Sequence, residues 1–116
     1  MKDNLIQTKS FEFSLSIISL YRLLQAEREY IISKQVLRSA TSIGANIEEA
    51  IGGQSKRDFL AKVSISLKEA RETRYWLKLL QESEITKIDV SNHQREILEI
   101  VNILSKIVKT TRTRLK

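Results

Sequence analysis

The sequence predicts an all-α protein, an antiparallel up-and-down four-helix bundle. Two observations predict it. Proline is absent and only three glycines occur in 116 residues, so long helices joined by short connections are expected. Aliphatic residues also recur at three- and four-residue intervals through four successive segments, the spacing of one helix face. A chain of this length is expected to form one domain, over residues 1–116, that buries roughly two thirds of its unfolded surface.

The first helix is expected over about residues 6–28, where Phe13, Ile17, Leu20 and Leu24 form one stripe. Phe11, Leu15 and Ile18 form a second stripe nearly opposite the first. One small bundle cannot hide two opposed apolar faces, so the second stripe predicts a partner surface. Trp76 joins it as a core or interface anchor, because a large aromatic with one polar atom suits such an edge.

The second helix is the least obvious. It contains "RSATSIGANIEEA" followed by Ile51, Gly52 and Gly53, which is rich in mediocre helix formers. Val36, Ala40, Ile43, Ile47 and Ala50 nevertheless keep helical register, so a helix is expected over about 33–51. Gly44 disfavours it by roughly 0.8–1 kcal/mol, and its polar neighbours raise the total to about 3 kcal/mol. Packing must offset this, and the small side chains at Ala40 and Gly44 predict close approach of another helix. Gly52 and Gly53 are expected to supply a left-handed C-terminal stop. A phosphate-binding loop would need a preceding strand and a Gly-Lys-Ser/Thr ending, and neither occurs.

The third helix is expected over about 55–82, with Ser55 as N-cap, Asp58 in the first turn and a stripe of Phe59, Val63, Leu67, Ala70 and Leu77. A polar connection, "ESEITKIDVSN", leads to a fourth helix over about 90–113, with Ile97, Ile100, Leu104, Ile107 and Thr111 inward. The single histidine, His93, reads as a solvated residue near its start.

Chemistry-bearing groups are few. Arg38, Ser42, Asn46 and Glu49 on the second helix face Glu69, Glu72 and Arg74 on the third, which suggests a partly buried polar seam. An ion-paired seam that fixes helix register is preferred over a metal site built from Glu49, Glu69 and Glu72. A di-metal bundle would need Glu-x-x-His on two helices, and the one histidine does not supply it. With no cysteine and no nucleophile elbow, neither a catalytic triad nor a cofactor is expected.

Lys and Arg number 20 against 14 Asp and Glu, a net charge of +6 at pH 7, which favours contact with polyanions. On the third helix Arg57, Lys68 and Arg71 share an outward face with Tyr75 beside them and Lys78 at the edge. The last eleven residues, "KIVKTTRTRLK", add Lys106, Lys109, Arg112, Arg114 and Lys116 with no acid. All are candidate phosphate contacts, with Tyr75 available to stack on a base. Such cations also suit a solvated face or a helix C-terminus. The N-terminal residues lack the apolar core of a signal peptide, and no run approaches the ~18 apolar residues of a membrane span, so a soluble cytoplasmic protein is expected.

"QVLRSATSIGANIEEA" followed by "DFLAKVSISLKEARETRYWLKLL" resembles the four-helix-bundle family of the 23S rRNA intervening-sequence proteins. The residues that carry the resemblance include Gln35, Leu37, Arg38, Ser39, Ser42, Ile43, Ala45 and Asn46. Glu49 with Ala50, then Phe59, and then Glu69 to Leu77 follow in order. The resemblance implies a homopentameric ring with no known catalytic residues. It also implies kinship with accessory factors of the reverse transcriptase of diversity-generating retroelements, which bind that enzyme and nucleic acid through a basic surface. Two functions are therefore expected to compete: a non-enzymatic oligomeric module for RNA or DNA, in company with a reverse transcriptase or other nucleic-acid enzyme, or a protein scaffold whose charge only maintains solubility. Five phosphates neutralised per chain would give a log–log salt slope near ~4.5.

Overall fold

The structure, a computed structural model, describes the backbone of residues 2–115 and the side chains of residues 5–115. Four helices form: α1 (Lys2–Ala26), α2 (Ile32–Ile51), α3 (Lys56–Ser83) and α4 (Ser91–Leu115). Each packs on two neighbours, α2 on α1 and α3, and α4 on α3 and α1. The result is an antiparallel rod of 48 × 22 × 22 Å. The seam between α1 and α4, which closes the bundle, is the sparsest of the four.

The predicted stripes build the core. Phe13, Ile17, Leu20 and Leu24 of α1 meet Val36, Ala40, Ile43 and Ile47 of α2, all buried. Val63, Leu67, Ala70 and Leu77 complete it from α3, with Ile97, Ile100 and Leu104 from α4. Phe59, Ile107 and Thr111 sit at its margin, only partly buried. Residues 38–51 are regular helix despite their composition. A Cβ built at Gly44 would lie 3.5 Å from Ser10 Oγ and 3.7 Å from the Ser10 carbonyl oxygen, so α1 runs close against this point of α2.

The helix ends differ from expectation in one place and exceed it in another. Gly52 does not make a left-handed stop: its φ and ψ are −80° and 0°, its N–H continues the helical pattern onto the Glu48 carbonyl at 3.2 Å, and the Gly53 N–H follows onto the Ala50 carbonyl at 3.1 Å. No described glycine has positive φ; the left-handed residues are Arg28 and Glu84, with φ of 64° and 56°, after α1 and α3. Gly52 and Gly53 therefore serve a slim turn, where Gly53 would place a Cβ 3.1 Å from the Ala50 carbonyl. Ser55 caps α3 by accepting the Asp58 N–H at 3.1 Å. Asp89 caps α4 by accepting from the Ser91 N–H at 3.0 Å, and Val90 plugs the connection into the core.

The cap of α2 is not visible in the residue spacing. Ile31 precedes the helix and offers no side-chain cap. Instead the buried Glu29 carboxylate accepts three main-chain N–H groups, from Ile31 at 3.0 Å, Ile32 at 3.1 Å and Ser33 at 2.6 Å. The Ser33 hydroxyl returns a hydrogen bond to the Glu29 carbonyl at 2.6 Å. Burial alone would raise the carboxyl, but the N–H groups of Ser33, Ile32 and Ile31 outweigh it and hold Glu29 below the ordinary glutamate range.

Candidate nucleic-acid interface

Between Lys68 and Glu72 the charges of α3 separate by side. Glu69 and Glu72 turn toward α2, where Arg38 pairs with Glu69 at 3.2 Å and with Glu72. The Trp76 indole N–H donates to Glu72 at 2.9 Å. This indole bond is the largest influence lowering the Glu72 carboxyl; burial opposes it and Arg38 reinforces it. The carboxylates raise the Arg38 guanidinium in return, Glu72 foremost. Half of the Arg38 side chain remains exposed, so the pair is a surface clasp whose stabilisation is at most about 1 kcal/mol.

Only part of the predicted seam belongs to this clasp. Ser42 donates to the Arg38 carbonyl and Asn46 to the Ser42 carbonyl, each at 2.8 Å within α2; both turn back on their own helix. Glu49 pairs with Lys62 instead, at 2.8 Å, away from Glu69 and Glu72. Arg74 is exposed and forms no ion pair with a described side chain. The buried polar contacts between α2 and α3 are others: Thr73 Oγ1 with Ser39 Oγ at 2.8 Å, and the Ser66 hydroxyl donating to the Ile43 carbonyl at 2.9 Å.

The opposite flank of α3 is basic. Lys68 and Arg71 line a groove of about 590 Å³ with Lys109 and Arg112 of α4, over a floor of Leu67 and Val108. Ser64 and Ser105 add hydroxyls, and among the described residues no carboxylate lines the groove. None of the four cations pairs with a described side chain. Antiparallel packing of α3 on α4 thus joins two basic stretches that lie about forty residues apart in the chain.

Arg57, Tyr75 and Lys78 are exposed along α3 but do not line this groove. Tyr75, 58% exposed, stands edge-on to Trp76 with ring centroids 5.2 Å apart. Lys106 and Arg114 leave the group: they line a different groove, on another side of α4. Lys116 lies outside the described residues.

On α1, Phe11 and Leu15 are 63% and 51% exposed. Ile18 and Trp76 are partly buried. His93 differs from the solvated residue expected. It is half-buried against α1, and its Nδ1 and the Ser16 hydroxyl, both shielded from solvent, lack a partner among the described residues. Burial lowers its basicity, opposed by Glu96, the Ser16 main chain and Asp89. The signal was present in the spacing, because His93 precedes Ile97 by one turn on the core stripe. No described helix is long and apolar enough to cross a membrane.

Comparison with known proteins agrees with this architecture. The sequence model of a family described as 23S rRNA-intervening sequence protein matches residues 2–107. A crystal structure from Bacteroides thetaiotaomicron, of a protein with unknown function from the S23 ribosomal protein family, superposes with a TM-score of 0.87 at 48% identity. The match covers 94% of this chain and 99% of that one. No curated protein matches the sequence.

Proposed function

We propose that this chain, which belongs to the 23S rRNA-intervening sequence protein family, is a non-enzymatic nucleic-acid-binding module that works as a homo-oligomer. The observation that carries the reading is the α3–α4 groove, where Lys68, Arg71, Lys109 and Arg112 converge with no carboxylate among the described lining residues. A merely solubilising surface intersperses both signs of charge. Here Glu69 and Glu72 are tied to Arg38 on one side of α3, and on the other the four groove cations form no ion pair with a described side chain. Phosphates in the groove would each meet a lysine or arginine, and Tyr75 offers an exposed ring near its end for an unpaired base. Such contacts read backbone rather than sequence, so binding is expected to tolerate many sequences.

Replacing Lys68 and Lys109 together by Glu should weaken binding of a labelled duplex at least about tenfold, because two phosphate contacts become repulsions. Arg57→Glu, off the groove, should have a small effect. Equal binding by the double variant and the parent in a fluorescence titration would refute the groove as the site and favour the scaffold reading.

The oligomer is assigned to the outer face of α1. Phe11 and Leu15 leave an apolar strip that a single bundle does not cover, and a pentameric ring is the assembly proposed. Replacing Leu15 and Ile18 by Lys should lower the sedimenting mass while the helical circular dichroism stays intact. An unchanged sedimentation coefficient would move the interface elsewhere.

A further inference from the structure

A second groove opens at one end of the rod, where the start of α1, the 52–55 connection and the last turns of α4 meet. Its volume is about 740 Å³, and Leu5, Ile51, Phe59, Ile103 and Ile107 give it an apolar floor. The floor is shallow: Leu5 and Ile51 are 51% and 42% exposed. Among the described residues its charged lining is Lys56, Lys106 and Arg114, with no carboxylate. None of the three pairs with a described side chain. This groove shares no lining residue with the α3–α4 groove.

We propose that this groove docks an amphipathic helix of a partner protein, one whose apolar face is bordered by carboxylates. Three features select that occupant. The α4 wall from Ile103 to Arg114 rises about 16 Å, or three helical turns, the length over which a docked helix presents anchors at i, i+3, i+4 and i+7. The shallow floor does not suit a small apolar ligand, which normally buries about 70–90% of its surface. An amphipathic helix needs to bury one face only and keeps its other face in water. Finally, positive charge borders the apolar strip from two elements, Lys56 from α3 and Lys106 with Arg114 from α4. A helix flanked by Glu or Asp meets opposite charge on both sides, whereas one flanked by Lys or Arg is repelled.

The test uses the full chain and three fluorescein-labelled synthetic peptides of about four helical turns. The first carries Leu at i, i+3, i+4 and i+7 with Glu on the flanks. The second replaces every Glu by Lys, and the third scrambles the first. Anisotropy titration should show the acidic peptide binding at least about tenfold tighter than either control, a difference of about 1.4 kcal/mol. Ile107→Lys, which breaks the floor, and Lys106→Glu with Arg114→Glu, which inverts the rim, should each weaken it by a similar factor. Lys68→Glu with Lys109→Glu should leave the peptide affinity unchanged, so that failure of this site and failure of the nucleic-acid site are separately visible. Equal binding of the acidic and scrambled peptides would overturn the proposal. So would undiminished binding by both groove variants when their melting curves show them folded. Loss of the parent's oligomer in Ile107→Lys would also overturn it, because a second copy would then be the occupant.

Discussion

Glu29→Ala is expected to lower unfolding stability by about 3 kcal/mol. A conventional N-cap contributes about 0.5–2 kcal/mol, and a single hydrogen bond to a charged group about 1.5–3 kcal/mol. Glu29 exceeds a conventional cap because one carboxylate accepts from Ile31, Ile32 and Ser33 at once, at the positive end of the α2 dipole. Truncation leaves those donors without a protein acceptor, and the Ser33 N–H among them is buried. The remainder of the site, in which Gln25 donates to Ser33 Oγ at 2.9 Å, offers no replacement. Denaturant titration should show a lower midpoint with an unchanged slope, and Glu29→Gln should fall between the two. The acid response follows from the same contacts. The folded carboxyl lies below its unfolded value near 4.5, so its stabilisation is complete above that pH and is lost as pH falls through the folded value. The alanine variant should therefore lose less stability than the parent between neutral and strongly acidic pH. A midpoint equal to the parent's at pH 7 would show that the carboxylate is dispensable.

Gly44 predicts a split result. The Cβ of alanine would sit 3.5–3.8 Å from Ser10 atoms, an ordinary van der Waals contact. Gly44→Ala should then leave stability unchanged or raise it by up to about 1 kcal/mol, through helix propensity. Leucine would extend past that Cβ toward the main chain of α1, where Ser10 is buried and its hydroxyl donates to the Gln7 carbonyl at 3.1 Å. Gly44→Leu should destabilise by more than about 2 kcal/mol as the two helices are forced apart. Thermal melts of the pair separate a helix-propensity effect from a packing effect. Leucine melting with the parent would show that α1 does not restrict this position.

The bundle was legible because the apolar stripes were complete. Val36, Ala40, Ile43 and Ile47 keep register through the glycine and the hydroxyl residues, and that register outweighed local propensity in choosing helix over loop. Ser55 was legible as a cap for the same reason, since its partner Asp58 lies within one turn. Glu29 was not, because it caps from outside the conventional position, through a chain reversal in which Arg28 adopts a φ of 64°. Arg74 and Arg38 show the limit of a single helical wheel. Both flank apolar positions, yet only the placement of α2 against α3 decides which one meets Glu69 and Glu72. The basic residues behaved alike. Spacing placed Lys68 with Arg71, and composition gathered Lys109 and Arg112 with the other cations of the last eleven residues, but the pairing of the two sets requires the antiparallel register of α3 and α4. The same register sends Lys106 and Arg114 to the other groove.

The dependence of nucleic-acid affinity on salt tests the central assignment most directly. Four phosphates neutralised in the α3–α4 groove predict that log K falls with log salt at a slope of about −3.6 for duplex DNA and about −2.8 for a single strand. Between 50 and 200 mM salt, duplex affinity should thus drop by about 150-fold, and Lys68→Glu with Lys109→Glu should flatten the slope by about two charges' worth. A chain that binds no duplex or single strand at low salt, or whose affinity is indifferent to salt, would contradict the assignment.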